Sequence, residues 1–330
     1  MSSIVYYLAT LAVFFFIYNI LTWGLNIQFG YAGILDFTYI TFMAAGAYVT
    51  GVFTLGPPPP GTGEEYILGL GWPFIVGLVA GAIGAAAVGF GIGLVALNRL
   101  RSDYLAIVTL AAGSILYGLA GNLTGLFDGF NGLSGVPAPF NSVFNLDPNT
   151  YILFFVPVAG ICMIVLWFVA NRIYGSPLGR TMRAIRDDQD VAEAFGKDSF
   201  RVRMLAMGIG CAFAGVAGAL TIGFISAFSP AGWTTGETFV IWAALLLGGK
   251  GNNWGSVVGA LLVAVVFNEA TRFLPAVPGN AGLVPALRNV AIGSLLILTL
   301  WIRPEGVLPE RKARFFEVPL RPSKAEATVG

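Results

Sequence analysis

The sequence predicts an all-α protein: a polytopic membrane helix bundle of about nine transmembrane spans, in which the short seventh span is whole or broken. Only 11% of the 330 residues are charged and 56% are hydrophobic, whereas soluble domains carry about 25% charged residues. The apolar residues form nine separate stretches, and about 20 apolar residues cross a bilayer once. The basic residues are grouped in a few segments, as expected for the cytoplasmic side of a membrane protein.

The first two spans are bounded by clear signals. Residues 4–28 are predicted to form an uncleaved helix because no charged residue precedes Asp36, whereas a secretory signal has a basic segment before its apolar stretch. The second span covers residues 33–55. It ends at the Pro57–Pro60 run, which cannot continue a helix.

The remaining spans alternate with polar loops. Pro73 marks the expected helix start within the third apolar run, and residues 124–149 form a loop rich in Gly, Asn, Pro and Asp. The seventh run breaks at the glycine-rich segment Gly248–Asn253. Spans three to nine are expected at residues 67–97, 104–123, 151–170, 204–228, 233–248, 254–273 and 283–302.

Lysine and arginine mark one side of the bundle. Of the 18 basic residues, 15 lie in residues 98–103, 171–203 and 303–330. The loops without a basic residue are residues 56–66, 124–149 and 229–236. Because basic loops stay in the cytoplasm, nine spans place the N-terminus outside and the C-terminus in the cytoplasm of a multi-pass plasma (inner) membrane protein. Without a crossing by the seventh run, the basic tail would end outside, so we count that run as a crossing.

The composition excludes several classes of function. The chain has no His, which removes histidine-based catalytic triads, imidazole metal sites and His-ligated haem. Its two cysteines, Cys162 and Cys211, lie in apolar runs and are expected to be buried small side chains rather than a disulfide or redox pair. The net charge of +1 gives no field that recruits nucleic acid. We therefore expect no enzyme, no catalytic residue, no metal site and no nucleic-acid partner.

Small residues recur one helical turn apart in three of the expected spans. The pairs are Gly77 and Gly81, Ala214 and Gly218, and Gly255 and Gly259. Such pairs let helix backbones approach closely in lipid. They favour tight packing inside the bundle over a contact between subunits or a sliding surface.

The polar segment 171–203 carries the sharpest functional signal. Pro177 is suited to the first turn of a helix, and a second short helix is expected to end at Gly196 as its C′ residue. Arg180, Arg183 and Arg186 share one face of the first helix at three-residue spacing, and Met182 and Ile185 share another. An amphipathic helix on the membrane surface is one interpretation. Seven basic and five acidic residues in this segment favour a protein partner over lipid alone.

Asp36 lies at the cytoplasmic end of the second span. A carboxylate at a helix N-terminus is the favoured interpretation, and a proton or substrate site is the alternative. No acidic residue lies clearly at mid-span, which counts against a proton-coupled pump.

Four separated stretches together point to a family. They are Gly30-Tyr31-Ala32-Gly33 with Gly46-Ala47-Tyr48, Leu100–Leu110 with Asn131–Pro137, Ser176–Asp187 with Ala192–Gly196, and Gly248-Gly249-Lys250-Gly251 with Trp254-Gly255 and Arg303-Pro304-Glu305-Gly306. In order and spacing they cover about residues 25 to 307. By these motifs the chain resembles the permease subunits of branched-chain amino-acid ABC importers, of the LivM-like type within the LivH/LivM family.

The resemblance implies the partners and the coupling site. A related second permease subunit completes the path, two ATPase subunits lie on the cytoplasmic face, and an extracytoplasmic binding protein delivers substrate. The segment from Ser176 to Gly196 resembles the loop that docks on the ATPase. We expect its arginine face to pair with acidic groups of the ATPase and its apolar face to fill a groove there. The expected coupling residues are Arg180, Arg183, Ala184, Arg186, Asp187, Glu193 and Gly196.

The chain holds no cofactor of its own by this interpretation. Gly249-Lys250 is followed by Gly251, so the phosphate-binding motif Gly-x-x-x-x-Gly-Lys-Ser/Thr is absent. ATP is expected to be bound by the partner subunits. Residues 1–302 are expected to form the transmembrane permease domain, which includes the cytoplasmic coupling stretch 171–203, and residues 303–330 a cytoplasmic tail.

One stretch departs from the family pattern and leaves the cargo open. Where the family often has a Ser-Leu-Gly-His-like stretch, this chain has Leu35-Asp36-Phe37-Thr38-Tyr39. Tyr31, Asp36, Thr38 and Tyr39 are candidates for the substrate path. The expected cargo is a branched-chain amino acid, and the alternatives are urea, short amides or other amino acids. An ion-coupled secondary transporter and a membrane-embedded enzyme are the less favoured classes.

Overall fold

The computed structural model describes residues 3–58, 65–98, 102–140, 148–267 and 283–310, and most of these residues are helical. The helix α1 (Ser3–Leu25) continues into a π-helical turn, Asn26–Tyr31. The following helices are α2 (Tyr39–Thr54), α3 (Phe74–Ala96), α4 (Ser102–Asn122), α5 (Thr124–Phe127), α6 (Pro148–Gly175), α7 (Pro177–Asp187), α8 (Gln189–Ala194), α9 (Ser199–Ile225), α10 (Thr235–Gly248), α11 (Asn253–Gly259), which continues as a π-helix over Ala260–Phe267, and α12 (Leu283–Ile302).

Apolar helices lie in each of the nine expected stretches, although residues 268–273 of the eighth lie outside the described ranges. Five segments are long and apolar enough to cross a bilayer by length and composition, namely residues 4–31, 74–96, 104–122, 150–175 and 199–225. Shorter apolar helices cover Tyr39–Thr54, Asn253–Val263 and Asn289–Ile302, and α10 has 14 residues. An all-helical, multi-pass membrane fold is therefore confirmed, while the number of nine crossings stays a prediction.

The second span begins later than predicted. Helix α2 starts at Tyr39 rather than near Gly33, because the preceding residues form a turn. Gly33 has a φ of +67°, and Asp36 Oδ1 accepts a hydrogen bond from the Thr38 backbone N–H at 2.8 Å. A left-handed glycine and an Asp side chain bonded two residues ahead both favour a turn over a helix. The third helix, by contrast, starts directly after Pro73 as expected.

The core is built where α2, α3 and α9 cross. Their mutual contacts are the most extensive in the described chain. A Cβ atom at Gly81 would lie 2.6 Å from the Gly46 carbonyl oxygen, and one at Gly215 would lie 2.7 Å from the Gly81 carbonyl oxygen. Gly218 likewise packs on the backbone of Met43. Tight packing inside the bundle, the favoured interpretation of these small residues, is confirmed for them.

Several helices, α3 among them, also turn aliphatic or aromatic side chains outward. Ile83 on α3, Ile107 on α4 and Phe168 on α6 are each more than 60% exposed, and Trp301 on α12 is 82% exposed. A bundle with an apolar outside and a closely packed inside is arranged for lipid or for another membrane subunit.

Three loops without lysine or arginine meet at one end of the bundle. Leu133 and Phe228 exchange both of their backbone hydrogen bonds, at 2.9 and 2.8 Å, and Ile67 N–H bonds to the Leu126 carbonyl at 3.2 Å. The aromatic rings of Tyr48 and Phe127 stack 4.6 Å apart beside them. The basic side chains Arg186 and Lys250 line one cleft, away from these loops, together with Glu310. The charge asymmetry seen along the sequence is therefore also an asymmetry of the folded bundle.

Candidate coupling site

The two short helices predicted in the polar segment are confirmed with their caps. Ser176 Oγ accepts a hydrogen bond from the Gly179 N–H at 3.1 Å, and Pro177 occupies the first helical position of α7. Asp188 Oδ1 accepts from the Val191 N–H at 3.0 Å at the start of α8. These are the side chains that satisfy free N–H groups at a helix start. The helix pair α7–α8 with the two residues that follow it, residues 177–196, is called the coupling segment below.

Gly196 ends the coupling segment as predicted. Its φ is +74°, a conformation that glycine adopts without a Cβ penalty. The Gly196 N–H bonds to the Glu193 carbonyl at 2.8 Å, and the Lys197 N–H bonds to the Ala192 carbonyl at 3.1 Å. Only four residues, 195–198, therefore separate the end of α8 from the start of α9.

The apolar face of α7 packs on the protein itself, which corrects one expectation. Met182 is 0% exposed and Ile185 is 4% exposed, and α7 contacts α6, α9 and the Asn26–Tyr31 turn. We expected this face to fill a groove on the ATPase. In the structure it anchors the coupling segment to the bundle, because the neighbouring helix ends offer apolar surface at that position.

The three arginines of α7 do not point the same way. Arg180 is exposed, whereas Arg183 and Arg186 are only partly exposed. The Arg183 guanidinium carbon lies 4.2 Å from the centre of the Tyr174 ring. A three-residue step turns a helix by about 300° rather than 360°, so each arginine is displaced by about 60° from the previous one. Sequence spacing placed them on one side of α7, but the last two turn toward the bundle.

Arg186 joins three parts of the chain. Its guanidinium donates to the Gly30 carbonyl oxygen, pairs with Asp187 at 3.0 Å and pairs with Glu310 Oε2 at 2.9 Å. A Cβ at Gly33 would lie 3.0 Å from Arg186 Cγ, so the Gly30–Gly33 motif makes room for this side chain.

The outward surface of the coupling segment carries both apolar and charged side chains. Phe195 is 79% exposed and Val191 is 50% exposed. The expected coupling residues Arg180, Ala184, Asp187, Glu193 and Gly196 are also exposed. Sequence reasoning did not select Val191 or Phe195. The available signal was an aromatic side chain just past a short, highly charged helix, where a solvent-facing residue is normally polar.

A network of hydrogen bonds around the side chain of Asn253 joins three helix ends close to the coupling segment. Asn253 Oδ1 accepts hydrogen bonds from Tyr31 at 2.5 Å and from Asn26 at 3.3 Å, and Asn253 Nδ2 donates to Asn171 at 2.7 Å. The Trp23 indole N–H donates to the Asn253 carbonyl at 3.0 Å. The network ties the end of α1, the end of α6 and the start of α11 together.

All four candidate path residues are fully buried within this single chain. Tyr31, Asp36, Thr38 and Tyr39 are each 0% exposed. Tyr31 packs on Tyr174 with ring centres 5.5 Å apart, so it lies with the coupling segment. Thr38 bonds to the Thr109 carbonyl, and Tyr39 bonds to the Gly210 carbonyl at 3.1 Å.

Asp36 belongs to the turn that precedes α2. Its backbone carbonyl accepts from the Trp242 indole N–H at 3.0 Å, while its Oδ1 bonds to Thr38. Its Oδ2 is buried without a hydrogen-bond partner in the structure. The carboxylate thus lies two residues before Thr38, the N-cap of α2, and the choice between a helix-end role and a path role stays a prediction.

The described ranges contain no cluster of side chains suited to bind a metal ion. Within them, no group of three or more Cys, Asp or Glu side chains is close enough to hold a metal ion. Cys162 and Cys211 are free thiols. The contacts of this site can orient a helix pair and present it to a partner.

Comparison with known proteins identifies the family. Residues 7–300 match the family model described as the permease component of the branched-chain amino acid transport system. The chain is 32% identical over 319 residues to the high-affinity branched-chain amino acid transport permease LivM of Escherichia coli K12, covering 89% of this chain and 68% of that protein.

More distant relatives include both permease types. A probable branched-chain amino acid transport permease LivM of Methanocaldococcus jannaschii is 28% identical over 337 residues, which cover 92% of this chain and 94% of that protein. The permease LivH of Salmonella typhimurium is 25% identical over 305 residues, which cover 88% of this chain and 91% of that protein. No solved structure matched the chain. The chain therefore belongs to the branched-chain amino acid transport permease family, and it is a multi-pass membrane transport protein rather than an enzyme.

Proposed function

We propose that this chain is the permease subunit of an ATP-binding-cassette importer and forms half of the translocation path for branched-chain amino acids. The observation that carries the proposal is the family match over residues 7–300, which span nearly the whole helical bundle. The names of the LivM and LivH relatives both refer to branched-chain amino acid transport. The cargo of this chain is placed in the same class.

The packing of the bundle supports a path shared with a second permease subunit. The glycine backbones of α2, α3 and α9 are in contact where these helices cross, so no solute fits between them there. The outer faces of α3, α4, α6 and α12 are apolar and suit a membrane neighbour or lipid. Similarity to both LivM and LivH relatives supports a pair of related but different subunits.

The exposed surface of the coupling segment supports docking of two ATPase subunits, one on each permease. Phe195 and Val191 offer apolar area, and Arg180, Asp187 and Glu193 surround it with charge. Apolar anchors with a polar rim are the usual composition of a protein interface. ATP is bound by those subunits in this proposal, and this chain contributes no cofactor.

The opposite end of the bundle suits an extracytoplasmic binding protein. The loops around Tyr66, Leu133 and Phe228 are joined by backbone hydrogen bonds, and the three loops carry no basic residue. We place this end outside, with the N-terminus, and the coupling segment in the cytoplasm with the tail that follows residue 302. Residues 1–302 then form one transmembrane permease domain.

The candidate path residues lie in and before the segment that departs from the family pattern. Asp36 and Thr38 lie in the turn before α2, and Tyr39 is the first residue of that helix. Tyr31 precedes them in the chain. Because all four are buried in the single chain, they reach a solute only if the turn before α2 shifts during transport. Their role is to shape the wall behind the path unless that shift occurs.

Reconstitution of the whole importer tests the function. Proteoliposomes would contain this chain, its second permease and the ATPases, with the binding protein supplied on the outer side. We expect uptake of labelled leucine, isoleucine or valine that requires both ATP and the binding protein. Unlabelled urea, acetamide and polar amino acids serve as competitors that should leave uptake unchanged.

Three outcomes would contradict the proposal. Stronger competition by urea or acetamide than by valine would move the cargo to the amide class. Uptake by this chain alone under an ion gradient would make it a secondary transporter. Leucine uptake without ATP would remove the ATPases from the mechanism.

A further inference from the structure

Residues 303–310, called the strap below, run from the end of α12 back along the bundle. The Gly306 N–H bonds to the Arg303 carbonyl at 2.9 Å, which closes a turn after the helix. The Val307 and Leu308 N–H groups then bond to the Leu247 and Gly248 carbonyls at 2.8 and 3.0 Å. The strap is therefore fixed to the turn between α10 and α11 by backbone hydrogen bonds.

Asn252, in the same turn, also bonds to the strap. Asn252 Nδ2 donates to the carbonyl oxygens of Leu308 and Pro309 at 3.3 and 3.2 Å. A Cβ atom at Gly251, where φ is +80°, would lie 2.7 Å from Glu310 Oε2. The sequence motifs Gly248–Gly251 and Arg303–Gly306 thus have one shared structural role. The glycines let the strap lie directly on the turn.

The strap ends at the coupling helix. Glu310 Oε2 lies 2.9 Å from Arg186 Nη1, and the two side chains are 17% and 21% exposed. The same arginine contacts the Gly30 carbonyl on the turn after α1. A cleft of about 800 Å³ beside this pair is lined by Arg186, Lys250, Glu305 and Glu310 among others.

The ion pair bridges two halves of the molecule. Helix α7 packs on α6, α9 and the turn after α1, all in the first part of the fold. The strap belongs to the later part, which consists of α10, α11 and α12. An arginine–carboxylate pair shielded from water is stronger and more directional than an exposed one. Arg186 and Glu310 therefore link α7 directly to the strap, in addition to the Asn253 network and the contacts of α1 with α10 and α11.

We propose that Glu310 is a positioning residue for transport: it holds the coupling helix α7 to the C-terminal helices through Arg186, so that ATPase closure moves both halves of the permease together. This inference rests on the proposed function, because it requires ATPase subunits that dock on α7. It assigns a role in coupling to the strap, in addition to the outward docking surface.

The test uses the complete importer in proteoliposomes with wild type, Glu310→Gln, Arg186→Gln and the double variant. The readout is the number of ATP molecules hydrolysed for each leucine imported. Glu310→Gln should raise this ratio roughly threefold or more, because ATPase closure no longer moves α10–α12 in step. Since both single changes break the same pair, the double variant should be no worse than the worse single variant.

Glu305→Gln is the matched control. Glu305 lines the same cleft but is exposed, and its change should leave the ratio at the wild-type value. A purely structural defect lowers ATP hydrolysis and uptake together and leaves the ratio unchanged. Glu310→Asp, which keeps the charge on a shorter side chain, should give an intermediate ratio.

The outcomes separate this inference from the proposed function. A wild-type complex without ATP-dependent leucine uptake contradicts the function. A wild-type complex that couples, with an unchanged ratio in Glu310→Gln or additive effects in the double variant, overturns the role of Glu310. If Glu310→Gln and Glu310→Asp both fail to assemble while Glu305→Gln assembles, the pair serves folding rather than coupling, and the inference is likewise overturned.

Discussion

At the scale of single residues, polar side chains inside this bundle serve to fix turns and helix ends. Asn253 receives hydrogen bonds from Tyr31 and Asn26 and donates one to Asn171. Arg183 lies on the Tyr174 ring, 4.2 Å from its centre. A buried polar group without a partner costs about 1–3 kcal/mol. Losing one of these contacts would therefore destabilise the helix ends that it joins.

Asp36 gives a prediction at this scale. Asp36→Asn keeps an acceptor oxygen for the Thr38 N–H, so we expect normal expression, uptake rate and substrate preference. Asp36→Ala removes the acceptor that fixes the turn before α2 and should destabilise the protein by about 1 kcal/mol. Thermal unfolding in detergent and leucine uptake would be measured for both variants. A changed substrate preference in Asp36→Asn would return this residue to the substrate path.

At the scale of elements, the coupling segment combines an inner anchor with an outer patch. Met182 and Ile185 on α7 are buried against the bundle, while Phe195 and Val191 are exposed. The caps at Ser176 and Asp188 fix where each short helix begins. A helix pair held firmly on one side and open on the other is able to pass a partner's movement to α6 and α9.

The exposed patch leads to a prediction about assembly. Burying a phenylalanine side chain is worth about 1.5–3 kcal/mol, so Phe195→Ser should weaken binding of the ATPase roughly tenfold or more. Affinity of the purified permease pair for the ATPase would be measured in detergent. Phe130→Ser is a suitable control, because Phe130 is 57% exposed on the loop that precedes α6, whereas the coupling segment follows α6. Equal loss of affinity in both variants would remove Phe195 from the interface.

The crossing of α2, α3 and α9 leads to a prediction about stability. A Cβ at Gly81 would meet the Gly46 carbonyl oxygen at 2.6 Å, whereas one at Gly91 on the same helix meets nothing within 4 Å. Because backbone atoms cannot turn aside as a side chain can, Gly81→Ala should destabilise the protein by about 1–3 kcal/mol. Gly91→Ala should not. Matching unfolding temperatures for the two variants would mean that these helices do not touch at Gly81.

At the scale of the whole molecule, the two ends of the bundle differ in charge and in role. The loops that meet around Leu133 and Phe228 carry no lysine or arginine, and the other end gathers Arg186, Lys250 and the strap. Helix α10 connects these ends. Its 14 residues give a length of about 21 Å, which is shorter than a hydrocarbon core of about 30 Å.

Side-specific labelling tests this arrangement. In a chain whose Cys162 and Cys211 are replaced by Ala, we expect Thr234→Cys to react with an impermeant thiol reagent from outside the cell. Lys197→Cys and Lys250→Cys should react only after the membrane is opened. Glu65→Cys is the outside reference. Reaction of Thr234→Cys and Lys250→Cys from the same side would show that α10 does not cross and that the count of nine spans is wrong.

Much of the local structure was predictable because it depends on nearby residues. Pro73, Ser176-Pro177 and Gly196 act within one helical turn, and the structure confirms the helix boundaries they predicted. The start of α2 was predicted six residues early, because apolar content alone does not reveal the turn made by Gly33 and Asp36. The expected tail has described residues only up to Glu310, and the basic residues beyond it lie outside the described ranges.

The sequence by itself determined a membrane bundle of apolar helices, one basic side, a capped coupling segment and a family resemblance. These follow from composition, charge placement and short-range helix rules. Only the tertiary structure decided which face of α7 is buried, that Phe195 looks outward, and that Arg186 meets Gly30, 156 residues away in the chain, and Glu310 in the strap. The physical reason is that helical periodicity defines faces, whereas contacts between distant segments decide which face is covered.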